Sequence, residues 1–233
     1  MIKSLSRIVI IVYMRKNIKL IEGEYYHIYN RGVDKRTIFK DKEDVFRFLK
    51  TITEFNQVEP IGGMYVSSFK KNSNCRGSTS KLVRFVVYCV NQNHFHFLIS
   101  PLVEKGIEKF MHKLSTGYTM YFNEKYDRSG ALFQGRYKKV FVETNEYLLH
   151  LSAYINMNYK VHKDLNDAWF QVLPISSIDQ YIRQEFKNIF CDTSVILNQF
   201  SSKKEYEKYV KNSLLQIIKK KEIEHLPDKL LIE

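Results

Sequence analysis

Three cysteines, four prolines, nine glycines and one tryptophan in 233 residues leave little material for several kinds of architecture. Cys75, Cys89 and Cys191 are an odd set without Cys-x-x-Cys spacing, which excludes a disulfide framework and provides no cysteine zinc site. A reducing compartment, the cytoplasm, is the expectation. No internal repeat and no long Pro/Gly/Ser stretch divides the chain, so tethered modules are excluded. The apolar run near the start, Ile8 to Val12, falls far short of the roughly 20 residues that span a bilayer. No small-residue cleavage site follows it, so neither a membrane anchor nor a signal peptide is read there, and Met14, ahead of Arg15 and Lys16, is a second candidate start.

The chain does carry apolar residues, 44% of the total, enough for a sizeable core. Its 37 Lys and Arg outnumber 25 Asp and Glu for a net charge of +12, and 16 Tyr accompany 16 Phe. A basic surface rich in rings suits a polyanion whose phosphates meet cations and whose unpaired bases stack on aromatics. A basic cytosolic protein with ordinary core aromatics has the same composition.

Tyr25 to Asn30 is rich in β-formers and closes at Arg31-Gly32, which predicts a strand and turn followed by a helix over 42–55. Arg31, Lys35 and Arg36 crowd that turn. A strand is expected over 64–69, a polar loop over 70–81, and a strongly β-prone strand over 83–90. Apolar residues at three- and four-residue spacing from Ile107 to Phe122 predict an amphipathic helix over 106–125 that covers one sheet face. A basic loop over 127–136, with Arg128 and Arg136, leads past Lys138 and Lys139 into a strand over 140–142; this is a candidate phosphate-contacting segment. Thr144 or Asn145 caps a helix reaching Tyr159, Trp169 to Pro174 resets the chain, and Ser202 with Glu205 makes a capping-box pattern ahead of a lysine-rich helix. The expected organisation is an N-terminal extension (1–17), one domain (18–181) and a basic helical C-terminal extension (182–233).

His94-Phe95-His96 follows the turn-like Asn91-Gln92-Asn93. Residues two apart on a strand share a face, so the two imidazoles project together while Phe95 and Phe97 enter a core on the other side. Such a pair permits zinc, manganese or no metal at all. A metal held by two imidazoles needs a further ligand, and a nucleophile would have to stand beside it. Tyr154 and Asn158, four apart on one helix, can present a phenol and an amide oxygen together. Tyr181 with Glu185 is the competing pair, placed second because it lies at the domain edge.

At these residues the chain resembles the single-tyrosine transposases of the HUH endonuclease superfamily, particularly the branch of REP-associated tyrosine transposases. The resemblance is carried by residues 25–32, by 93–99, by the segment from Tyr121 through Arg128 to Arg136, and by 147–158, in the family's order. It implies an α+β fold, ferredoxin-like in outline, with a central antiparallel sheet, helices packed on it and the histidines on a central strand. It also implies that His94, His96 and Asn158 are metal ligands for Mg2+ or Mn2+ and that Tyr154 is the nucleophile. The implied reaction is cleavage and rejoining of single-stranded DNA through a 5′-phosphotyrosine, with a hairpin or palindromic repeat as the recognition element. Arg31, Lys35, Arg36, Arg128, Arg136, Lys138 and Lys139 are the candidate DNA contacts.

Two positions depart from the family. Asn91-Gln92 stands where Met-Pro is frequent, which alters the turn and places Gln92 as a neighbour of the site. Tyr159 stands where Pro is frequent, which removes a helix terminator. Two rivals follow: a catalytically decayed DNA-binding regulator of the same fold, and a metal-dependent phosphoesterase that uses activated water. Related insertion-sequence enzymes act as homodimers that exchange helices, whereas the REP-associated branch need not. A DNA-bound protein of this kind would associate with the nucleoid.

Overall fold

The structure is a computed structural model that describes residues 19–59, 80–161, 173, 175–183 and 190–224, with side chains to 219. The N-terminal extension, the strand expected at 64–69, most of the loop after it, Cys75, Trp169 and Glu185 lie outside the described residues. The expected α+β architecture is observed. Strands β1 (Tyr26–Arg31), β2 (Val83–Asn91), β3 (His94–Pro101) and β4 (Lys138–Phe141) form one antiparallel sheet in the order β2-β3-β1-β4, so the histidine strand is central.

Helices α1 (Lys42–Phe55) and α2 (Gly106–Lys125) cover one face of the sheet. Phe48 sits at the centre of this core, ringed by Phe39, Phe95, Phe97 and Tyr118. Full burial of one such side chain stabilises the fold by about 1.5–3 kcal/mol. The start of α1 is set by Asp41, whose carboxylate accepts from Asp44 N at 3.0 Å while Asp44 returns the bond, a complete capping box. Lys125, at the end of α2, reaches Asp41, Glu43 and Asp44 at 2.8, 3.1 and 3.0 Å and clamps the two helices together.

Helix α3 (Asn145–Val161) covers the opposite face, packed against β2 and β3. Thr144 is its cap, accepting from Tyr147 N at 3.1 Å. With tyrosine rather than proline at 159, α3 runs two residues past that position. Short helices α4 (Ile178–Ile182) and α5 (Ser194–Leu197) lead to α6 (Lys203–Glu224), which packs along α3. Tyr206 of α6 is fully buried there; its hydroxyl accepts from Asn156 Nδ2 at 2.9 Å and lies 3.3 Å from Ser152 Oγ. The capping box expected at Ser202 forms only in part: Ser202 Oγ accepts from Glu205 N at 3.2 Å, but the Glu205 carboxylate turns to Ser201 N at 2.7 Å. Among the described residues no helix is long and apolar enough to cross a membrane.

Candidate active site

The strand registers lay out the sheet face beneath α3 as rows, because residues paired across antiparallel strands project to the same side. One row is Asn91, His94 and Arg31; the next is Cys89, His96, Tyr29 and Lys138; the third is Val87, Leu98, His27 and Val140. The alternation also sends Phe95 and Phe97 into the core under α1 and α2, as the period of two requires.

Tyr154 and Asn158 descend from α3 onto the first two rows. Asn158 is fully buried, and its Oδ1 lies 3.2 Å from His94 Nε2. The Tyr154 ring stands edge-on to His96 with centroids 5.9 Å apart, and its hydroxyl is hydrogen-bonded by Asn158. The four residues chosen for this chemistry therefore converge from one hairpin strand and one helix. The competing Tyr181 is buried in an apolar cluster and donates its hydroxyl to Val86 O at 2.7 Å.

Hydrogen bonds orient the two imidazoles. His94 Nδ1 lies 2.6 Å from Asn93 Oδ1, an atom that can only accept, so Nδ1 carries the proton and Nε2 turns a lone pair toward Asn158. His96 Nδ1 lies 2.9 Å from Nε2 of His27, a third histidine absent from the sequence-based set. His27 is buried, and burial pushes its pKa down to about 3, so it stays neutral and one of the two rings donates to the other. Tyr29 stacks against both rings, at 4.9 Å from His27 and 5.7 Å from His96. The signal for His27 was its parity: positions 27, 29 and 31 alternate onto the face that holds His94 and His96.

Burial raises the Tyr154 phenol above the usual tyrosine range, and the Asn158 hydrogen bond offsets part of that rise. Burial likewise pushes the neighbouring Cys89 thiol up to about 12, so it is protonated. Asn91, fully buried at the end of β2, places Nδ2 2.7 Å from Asn158 Oδ1 and 3.0 Å from His94 Nε2. It is therefore Asn91 whose carboxamide reaches between the ligand candidates; Gln92 uses its backbone carbonyl to receive Ile38 N and Phe39 N at 2.7 and 3.1 Å.

The basic residues do not form one group. Arg31 and Lys138 share the face that carries the histidines, whereas Lys139, paired with Ile28, points to the other side. Arg31 Nε donates to Gln134 Oε1. Arg128 is turned into its own loop, bonding Asn123 Oδ1 at 2.6 Å and Ala131 O at 3.2 Å. Lys35, Arg36, Arg136 and Lys138 are exposed. The basic loop is nevertheless docked beside the site: Val33 N bonds Leu132 O, Gln134 N bonds Arg31 O, and Asn30 Nδ2 bonds Gly135 O at 3.2 Å. Gly32 is needed at the adjoining turn, where a Cβ would meet Arg36 O at 2.3 Å.

Among the described residues no group of three or more His, Cys, Asp and Glu is arranged to hold a metal. The donors here are imidazoles and carboxamides. They fit a divalent cation: bonds of about 2.1–2.2 Å set adjacent ligand atoms roughly 3 Å apart, close to the observed 3.2 Å between His94 Nε2 and Asn158 Oδ1. Asn158 also turns its oxygen to that side.

Residues 66–158 match the family described as transposase, IS200 like. No curated protein matches the chain in sequence. Among solved structures, a REP-associated tyrosine transposase bound to a REP hairpin is similar, with 11% identity and a TM-score of 0.48 over 77% of this chain and 94% of that one.

Proposed function

We propose that the protein cleaves and rejoins single-stranded DNA by transesterification, with Tyr154 as nucleophile. The observation that carries this reading is the meeting of His94 Nε2 with Asn158 Oδ1 at 3.2 Å, one helical turn from the Tyr154 hydroxyl that Asn158 bonds. His94, His96 and Asn158 would hold Mg2+ or Mn2+, which when bound supplies Lewis-acid polarisation of the scissile phosphate.

In the forward step the Tyr154 oxygen attacks phosphorus and loses its proton. The P–O bond to the 3′ oxygen breaks, that oxygen takes a proton, and a 5′-phosphotyrosine remains. Because the ester is conserved, attack by another 3′-hydroxyl reverses the step and joins strands without ATP. Burial disfavours the phenolate, so Tyr154 is a weak nucleophile until the site carries positive charge. Arg31 and Lys138 flank the histidines on the same face and would bind phosphates on either side of the scissile one.

The expected substrate is a single strand bearing a hairpin or palindromic repeat. Incubation of a single-stranded hairpin pool with protein and Mn2+ should give cleavage products that vanish in His96→Ala while binding persists. Binding by the wild-type protein without any cleavage would instead support the DNA-binding regulator.

A further inference from the structure

We infer that Asn91 is an additional ligand of the same metal, contributed by this chain's departure in the turn before the histidine strand. The inference rests on the metal-site reading above and extends it by one residue.

Three atoms carry the argument. Asn91 Nδ2 lies 3.0 Å from His94 Nε2 and 2.7 Å from Asn158 Oδ1, and the latter two lie 3.2 Å apart. They form a nearly equilateral triangle whose edges are those expected for three adjacent corners of an octahedron with bonds of about 2.1–2.2 Å. The amide nitrogen in the third corner has two hydrogens and donates to both neighbours. A nitrogen of that kind has no lone pair to offer a cation. The carboxamide is nearly symmetric in shape, however, and its terminal torsion is soft and roughly two-fold. A half-turn places Oδ1 where Nδ2 stands and converts a donor that bridges two ligands into a hard oxygen ligand beside them.

The backbone requires no movement for this. Asn91 is paired with His94 in the β2–β3 ladder and is fully buried, so its carboxamide is confined to the site in either orientation. A leucine or methionine at 91 would fill the corner with carbon, and aspartate would fill it with oxygen and a charge. Asn91 therefore has two settings: hydrogen-bonded closure of the ligand set without a cation, and ligation with one.

The test is Mn2+ binding by the full-length protein without DNA, read from the loss of the free Mn2+ electron paramagnetic resonance signal, with melting curves to establish folding. Asn91→Leu should bind Mn2+ about tenfold more weakly or worse, and Asn91→Asp at least as tightly as the wild type. His94→Ala should lose the site. If Asn91→Leu binds as tightly as wild type or tighter while His94→Ala does not bind, Asn91 is only a stopper; the inference is overturned and the metal-site reading stands. If the wild type shows no saturable Mn2+ uptake, both are overturned. Should Asn91→Leu fail to fold, Asn91→Asp decides: binding tenfold weaker than wild type would overturn the inference.

Discussion

His27 Nε2 lies 2.9 Å from His96 Nδ1, so the imidazole that faces Tyr154 is held from behind by a second buried imidazole. If His96 offers Nε2 to a cation, its Nδ1 must carry the proton and His27 must accept it. His27→Phe keeps a ring of similar shape for Tyr29 to stack on but removes the acceptor. Mn2+ affinity should fall by about tenfold to a hundredfold with little change in fold, as is usual when the partner of a ligating histidine is lost. An unchanged Mn2+ titration would show that His27 is only a packed ring.

The sheet register separates two lysines that are adjacent in sequence. Lys138 faces the histidine side and Lys139 the other. Lys138→Ala should weaken binding of single-stranded DNA and reduce the slope of log affinity against log salt by about 0.7, the value for one lost phosphate contact on a single strand. Lys139→Ala should leave that slope nearly unchanged. Equal losses for both variants would show that the strand does not cross this face.

Much of this arrangement was legible in the sequence where the signal was local. The shared face of His94 and His96 follows from the period of a strand, α2 spans the segment that its apolar spacing marks, and Tyr154 with Asn158 follows from one helical turn. Contacts between distant segments were not legible. The His27–His96 bond joins positions 69 apart and depends on the β1–β3 register. The fold of the basic loop was not legible either: the Arg128 guanidinium bonds Asn123 and Ala131 within it. The altered turn was readable as a departure, but that the Asn91 amide meets His94 and Asn158 depends on the β2–β3 register and on where α3 lies.

Asp41 gives the fold a measurable acid response. Partial burial works against its charge, but Lys125, the Asp44 N–H and the Tyr126 hydroxyl outweigh that and hold its carboxyl below the usual range. A depressed carboxylate contributes stability above its unfolded pKa, near 3.9, and that contribution is lost as pH falls through the folded value. Asp41→Asn keeps a capping oxygen but not the charge. Its melting temperature should therefore fall less than that of the wild type between pH 5 and 3, and parallel curves would contradict the ion-pair account.

The C-terminal helix is tied to α3, the helix that carries Tyr154. Tyr206→Phe removes the acceptor that Asn156 Nδ2 uses and the hydroxyl beside Ser152, leaving buried polar groups with fewer bonds. Urea unfolding should show a loss of about 1–3 kcal/mol, the usual cost of such a deletion. A loss near zero would indicate that α6 packs on α3 without depending on this network.

The central claim is that one tyrosine on α3 takes DNA onto itself. The direct measurement is to incubate the protein with Mn2+ and a pool of labelled single-stranded hairpins, recover any denaturant-resistant adduct and map the modified peptide. The account predicts an adduct on Tyr154 that needs the metal and is absent from Tyr154→Phe. Cleavage or adduct formation that survives Tyr154→Phe would contradict it.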